Sequence, residues 1–336
     1  MIVDVGGVKI GKGHPVVVQS MIKRPIEEVK KIINDIRRLK AAGCELIRIA
    51  IPSREAIRYF KHIVRGSVLP VIADIHFHEE LALLAIDAGA KKLRVNPGNI
   101  SRKGLERIAR VTAKIKLPVR IGVNAGSIDR KRFPESTVEA MVTTLMEAIE
   151  MFSSTPLVLS AKSSDIMKTV EIYRRIKDSG YPLHVGITEA GTPFRGGIRS
   201  GVGIGILLNE GIGDTIRVSL TGDPVLEVAS AYEILAALNL RRHGPILISC
   251  PTCGRCQVDL LRMIEAVETR LNDIRVPIKI AIMGCEVNGP GEAKEADYGV
   301  AFGRNSGLLF RKGNVVRKIS ASEAIETLFE LIEEGG

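Results

Sequence analysis

The feature that most restricts how this chain can fold is a rhythm. Up to about residue 240, a short β-branched run, a polar tip and a helix-period segment follow one another again and again. The runs are Val16–Ser20, Leu46–Ala50, Pro70–Asp74, Lys92–Asn96, Pro118–Asn124, Leu157–Lys162, Leu183–Glu189 and Thr215–Leu220. Helical periodicity spans Ile26–Ala42 after the first run, about Glu79–Ala88 after the third and Val225–Leu238 after the last. Eight such strand–helix units predict a (β/α)8 TIM barrel, an α/β fold. A doubly wound sheet rarely needs so many units and should carry a phosphate-binding G-x-G-x-x-G turn. Gly201-Val202-Gly203-Ile204-Gly205 matches that turn only loosely, and its apolar sequel reads as close helix packing.

Arg241-Arg242-His243-Gly244-Pro245 breaks the rhythm and marks a domain boundary. The expectation is a barrel over residues 1–242 and a smaller α/β domain over 243–336. In that domain, strands are expected at Ile246–Ser249, Ile278–Met283, near Tyr298–Phe302 and over Gly307–Lys318. Helices are expected over about Val258–Leu271 and Ala321–Leu331.

The smaller domain holds four of the five cysteines. Cys250, Cys253 and Cys256 stand in Cys-Pro-Thr-Cys-Gly-Arg-Cys. Cys285 opens the Gly-rich turn Gly284-Cys285-Glu286-Val287-Asn288-Gly289-Pro290-Gly291-Glu292. Clustered thiols beside backbone-exposing glycines suit an iron–sulfur cluster, which needs several thiolates converging on one inorganic core. Zinc competes, since C-x2-C is also half of a zinc knuckle. The third cysteine at the same spacing and the lack of a second C-x2-C pair favour iron–sulfur and leave zinc open. Both groups fall at strand ends, where a site can be assembled.

An apolar content of 45% supports a full core in a chain of 336 residues. No run approaches the roughly 18 apolar residues of a membrane span. Met1–Gly7 lacks the pattern of a secretory signal, and reduced, clustered cysteines fit the cytosol, so a cytoplasmic location is expected. The net charge of +10 admits a solvated surface, an anionic substrate, an acidic protein partner or nucleic acid. Nucleic acid is disfavoured, because the chain has no Trp and its five Tyr and eight Phe do not interleave with basic runs.

In a barrel of this kind, reacting groups sit at the C-terminal ends of the strands. The tips contribute Arg48, Asp74, Arg94, Asn96, Arg120, Asn124, Lys162, Thr188, Glu189, Arg217 and Ser219. Guanidinium forks bind phosphate oxygens bidentately and a lysine adds a point charge. The mouth therefore reads as a receptor for a doubly phosphorylated small molecule, with Asp74 and Glu189 available for proton transfer. His76-Phe77-His78 forms an H-x-H that suggests a metallohydrolase, but no later strand supplies the further His and Asp. A structural or substrate-contacting role for His76 is preferred. Cys44, at a helix end, reads as a buried apolar group, and His14 and His62 carry no usable signal.

Seven runs together resemble 4-hydroxy-3-methylbut-2-enyl diphosphate synthases, iron–sulfur enzymes of the non-mevalonate isoprenoid pathway. They are Asp74–Phe77, Leu93–Asn99, Arg120–Ser127, Gly186–Gly191, Glu210–Ser219, Ser249–Cys253 and Gly284–Glu292. The resemblance covers nearly the whole chain. It implies a TIM barrel joined to a [4Fe–4S] domain, and the reductive opening and dehydroxylation of 2-C-methyl-D-erythritol 2,4-cyclodiphosphate. It also implies a ferredoxin or flavodoxin electron donor and a head-to-tail homodimer. Carried over by motif, the cluster ligands are Cys250, Cys253, Cys285 and Glu292. Cys256 is an extra thiol and an alternative to Glu292. The carboxylate is favoured because, as the harder ligand, it leaves more readily and opens one iron to a substrate oxygen. The phosphates fall to Arg48, Arg94, Arg120, Lys162, Arg217 and Ser219, with Thr188 beside them. Glu189 is the candidate proton donor, helped by Asp74, Asn124 and Asn288. No flavin or nicotinamide fingerprint is present, and the basic charge would steer an acidic carrier. Two other readings of the residues stay open: a zinc-ribbon nucleic-acid binder, and a barrel phosphohydrolase or aldolase with a structural zinc domain.

Overall fold

The structure, a computed structural model, describes residues 1–335 except 129–132, 134–136, 272–273, 275, 286–290, 292–294 and 305. The chain divides into two compact units, Met1–Arg241 and Arg242–Gly336. Asn288 and Glu292 lie outside the described residues.

The first unit is a parallel barrel. Its strands are β3 (Val17–Met21), β4 (Leu46–Ala50), β5 (Val71–Ile75), β6 (Lys92–Val95), β7 (Val119–Asn124), β8 (Leu157–Lys162), β9 (His184–Val185) and β10 (Thr215–Ile216). They pair in chain order, and β10 returns to β3. A parallel bridge between Leu159 and Leu183 joins the β8 and β9 chains and closes the ring. Helices α1 (Val29–Ala41), α2 (Ala56–Gly66), α3 (Glu79–Asp87), α4 (Arg102–Ile115), α5 (Thr137–Met151), α6 (Ile166–Ile176), α7 (Pro193–Asn209) and α8 (Pro224–Ala237) alternate with the strands. Their starts are written locally. Ser101 Oγ accepts from Gly104 N and Asp165 Oδ1 from Lys168 N. Asp223 caps α8 ahead of Pro224, whose missing N–H costs nothing there. In α7 a Cβ on Gly203 would meet Ile187 Cδ1 at 2.5 Å, the close packing expected, whereas one on Gly201 or Gly205 would meet nothing within 4 Å.

Strand alternation sorts the side chains. Leu93, Val95, Val119 and Ile121 lie in the core under the helices. Their neighbours Lys92, Arg94 and Arg120 therefore point into the barrel. The floor is apolar, and an unanticipated hairpin closes it: β1 (Ile2–Val5) and β2 (Val8–Gly11) set Val3, Val5 and Ile10 against Val17, Leu46, Ile72 and Val158.

Two expected strands are much shorter than their apolar runs. After Ile216 the backbone gives one more ladder bond, Arg217 N to Val185 O. Leu220 N then turns to the carboxylate of Glu227 at 3.0 Å instead of to a neighbouring strand.

The second unit is a five-stranded sheet in the order β11 (Ile246–Ser249), β12 (Lys279–Met283), β13 (Tyr298–Gly303), β14 (Ser306–Arg311), β15 (Asn314–Ser320). The first three strands are parallel and the rest antiparallel. Helices α9 (Leu260–Leu271) and α10 (Ala324–Glu333) cover it over a core that includes Val267, Ile282, Phe302 and Leu328. The run Gly307–Lys318, expected as one strand, is a hairpin. Lys312 and Gly313 both take positive φ (46° and 79°), the signature of a two-residue turn whose twist matches its strands.

Candidate functional site

The barrel interior holds several buried cations. Arg48, Arg94 and Arg120 are not tip residues. They lie within their strands, with Arg94 in register with both Asp74 and Arg120. Asp74, 1% exposed, is their common anion: Arg48 Nε and Arg94 Nη1 each reach it at 3.3 Å, and His76 Nε2 stands 3.7 Å away. Burial acts to raise the Asp74 carboxyl, but Arg48 and Arg94 outweigh it and hold it below the ordinary range. Arg48 is pushed down to about 10, by burial first, with Asp74 opposing. Arg48 Nη2 also lies 2.8 Å from Met21 Sδ.

Arg120 is only 2% exposed. Burial, then the charges of Arg48 and Arg94, pushes it well below its ordinary value. Its Nε and Nη1 have no hydrogen-bond partner among the described residues, nor do Arg94 Nε, Arg217 Nε and Lys92 Nζ. A buried cation without a partner is costly, so donors of this kind are suited to an anion. Bare backbone makes room for them. A Cβ on Gly122 would come to 3.0 Å from Arg94 Nε, and one on Gly186 to 2.7 Å from Lys162 Nζ.

Lys162 ends β8 and its Nζ meets His184 Nε2 at 3.2 Å. Asn124 ends β7 opposite Lys162, half-buried, with its carbonyl accepting from Ser127 Oγ. Asn96 donates to the same hydroxyl. Thr188 and Ser219 are half-buried in the loops beyond β9 and β10. Glu189 is exposed and holds φ +54°. A glutamate in the left-handed region is uncommon, and such strain tends to gather where a side chain must be aimed.

Several residues of the site had no motif to announce them. Glu227, 1% exposed in the first turn of α8, binds Lys23 Nζ at 2.9 Å, Arg217 Nη2 at 3.3 Å and Ser20 Oγ at 3.3 Å. It thus anchors Arg217, leaving that residue's Nε free. Lys92 and His184 are fully buried, and Gln19 has neither amide atom partnered among the described residues. Period-two alternation could have found Lys92, two residues before Arg94 on the same face. Glu227 reaches the barrel from a helix and left no such signal.

In the second unit, Cys250 follows β11 and Cys285 lies two residues past β12, its parallel neighbour. No disulfide joins any of the five cysteines; Cys44 is buried, its thiol pushed up to about 12 by that burial, as an inert packing group would be. Gly284 N lies 3.3 Å from Cys250 Sγ. A Cβ on Gly284 would come to 2.5 Å from Cys256 Sγ and 3.3 Å from Cys250 Sγ. Gln257 N donates to Gly284 O, and Cys256 N to Cys253 O, tying the two turns together. No metal-holding group of three or more His, Cys, Asp or Glu side chains is gathered among the described residues. Thiols from two adjoining turns around bare backbone, with an N–H directed at sulfur, nevertheless fit a thiolate-held cluster. Beyond Asp74, no further His, Cys, Asp or Glu side chain gathers with His76 into a metal-holding group among the described residues.

Comparison with known proteins covers both units. The GcpE TIM-barrel domain matches residues 1–232, and the GcpE protein C-terminal domain matches residues 246–334. The 4-hydroxy-3-methylbut-2-en-1-yl diphosphate synthase (flavodoxin) of Thermodesulfovibrio yellowstonii is 47% identical, covering 98% of this chain and 97% of its own. That of Geobacter sulfurreducens is also 47% identical, over 99% and 96%. Among solved structures, a dihydropteroate synthase of Xanthomonas albilineans superposes with a TM-score of 0.51 at 17% identity, over 71% of this chain and 98% of its own. An N-acetylneuraminic acid synthetase of Leptospira borgpetersenii gives 0.52 at 13%, over 80% and 97%. These two likenesses concern the fold alone. With both domain matches in order and such identity over nearly the full length, the chain belongs to the GcpE family of 4-hydroxy-3-methylbut-2-en-1-yl diphosphate synthases.

Proposed function

We propose that this chain is an iron–sulfur oxidoreductase that converts 2-C-methyl-D-erythritol 2,4-cyclodiphosphate to 4-hydroxy-3-methylbut-2-enyl diphosphate, opening the ring and expelling one hydroxyl as water. The observation that carries the substrate class is the set of buried guanidinium N–H groups without partners on Arg94, Arg120 and Arg217, joined by Lys162. Two linked phosphoryl groups match both the charge and the fork geometry of that set. Thr188, Ser219 and Asn124 offer neutral hydrogen bonds at its rim.

Cys250, Cys253 and Cys285, with Glu292, would hold a [4Fe–4S] cluster. When bound, the cluster supplies low-potential electrons one at a time. The remaining work falls to the side chains. Asp74, ion-paired and charged, keeps Arg48 and Arg94 in fixed directions, so little reorganisation is needed when the phosphates arrive. Glu227 does the same for Arg217. Glu189 is assigned the proton delivered to the departing oxygen, with Asn288 assisting. The flavodoxin-dependent names of the relatives support a flavodoxin as donor. A head-to-tail homodimer and a cytoplasmic location complete the reading. No helix among the described residues is long and apolar enough to cross a membrane.

The test is to purify the protein without oxygen, measure iron and zinc, and incubate it with the cyclic diphosphate and reduced flavodoxin. Brown, iron-loaded protein that yields the open diphosphate, followed by phosphorus NMR, is the expected result. A colourless, zinc-loaded protein without turnover would overturn it in favour of a structural zinc domain.

A further inference from the structure

Lys162 Nζ and His184 Nε2 are 3.2 Å apart, and both side chains are buried in the barrel interior. One of two nitrogens at that distance must act as acceptor, so the pair has no room for an ammonium beside an imidazolium. On its other side, His184 Nδ1 meets Thr215 Oγ1 at 3.1 Å, and Tyr173 on α6 donates its hydroxyl to the His184 carbonyl. The imidazole is pinned at both ends and cannot swing away.

The groups around this pair are almost all cationic. Arg120 on β7, Arg94 and Lys92 on β6, Arg48 on β4 and Arg217 beyond β10 all act on Lys162, on His184 or on both. Asp74 on β5 and Glu227 on α8 are the anions paired with cations of this group, Asp74 with Arg48 and Arg94, Glu227 with Arg217 and Lys23. Adding a charge here without an incoming anion is therefore unfavourable.

We propose that the Lys162–His184 pair takes up a proton from solvent when the cyclic diphosphate binds, so that the phosphates complete the cationic site they occupy. This deepens, and rests on, the assignment of the barrel interior as the diphosphate site. Burial first, then Arg120, holds the Lys162 ammonium well below its ordinary value, and burial first, then Lys162, does the same to His184. A bound dianion opposes both causes and raises the pair. Affinity is then greatest below the free-state pKa of the pair and falls as pH rises from that value to the bound-state one.

The substrate is a clean probe. Each of its phosphorus atoms carries one ester link and one anhydride link, leaving a single strongly acidic oxygen, so the ligand does not titrate near neutral pH. Calorimetric titration of anaerobic, oxidised holoenzyme with the cyclic diphosphate, without reductant, is compared in two buffers of different ionisation enthalpy. The expected result is a binding heat that changes with buffer in the direction of uptake, corresponding to about one proton per ligand. Lys91→Met, at an exposed lysine outside the site, should keep that dependence. Lys162→Met should bind more weakly and lose it. Wild-type binding with a buffer-independent heat would overturn the proton uptake and leave the diphosphate site standing. Uptake that persists in Lys162→Met would overturn the assignment to this pair. No binding to wild type at all would remove the diphosphate reading and the proposal together.

Discussion

Glu189 combines exposure, a carboxylate and a left-handed backbone in one residue. If it delivers a proton, Glu189→Gln should retain iron and substrate affinity and turn over at least about 10²-fold more slowly, the scale of a positioned general acid. Steady-state kinetics with a chemical reductant decides; near-normal kcat would remove the acid role, and a change confined to KM would mark the residue as a binding group. Arg217 invites a different measurement. Its Nη2 is held by Glu227 while its Nε lacks a partner among the described residues. Arg217→Ala should weaken substrate binding by about 1.5–3 kcal/mol, as loss of a charge-assisted hydrogen bond does. Iron content should not change. Unaltered affinity here and in Arg120→Ala would show that the anion lies elsewhere.

At the scale of elements, the cysteine turns depend on two parallel strands ending side by side. Cys250→Ala, Cys253→Ala and Cys285→Ala should each lose most of the iron and the activity, whereas Cys256→Ser should keep both. Iron loss in Cys256→Ser as severe as in the others would exchange the carboxylate ligand for a fourth thiolate. Gly284→Ala is a sharper probe, because its methyl would intrude on both Cys256 Sγ and Cys250 Sγ without removing any thiol. Reduced iron loading with unchanged far-UV circular dichroism is expected. Full loading would show that the turn opens to accommodate the methyl. In the barrel, the N-terminal hairpin plays the opposite part, sealing the floor with Val3, Val5 and Ile10 and keeping water away from the buried cations above it.

For the whole molecule, the dominant quantity is charge. The net +10 should attract an acidic electron carrier from a distance. The association rate of reduced flavodoxin should therefore fall as ionic strength rises from about 0.02 to 0.5 M, where the Debye length shrinks to a few ångströms. A salt-independent rate would mean that the donor finds its site without electrostatic steering.

Most of the architecture was legible from the chain alone. Period-two runs alternating with period-3.6 runs have few solutions other than a barrel, and both periods are local properties of the backbone. The cysteine spacing and the presence of charged residues along the strands are local properties in the same way. Other features depended on contacts between residues far apart in the chain. Sequence placed Arg48, Arg94 and Arg120 at the rim, whereas they lie inside, because strand tilt and stagger set the depth of each position. Glu227 and His184 became part of the site only when α8 and β9 were folded against their neighbours. Lys312-Gly313 turns the chain within a stretch expected as one strand. Sequence by itself determined most of the elements and which chemical groups the chain offers. Tertiary structure decided which charges are buried and which are paired, because burial and pairing are properties of neighbours in space.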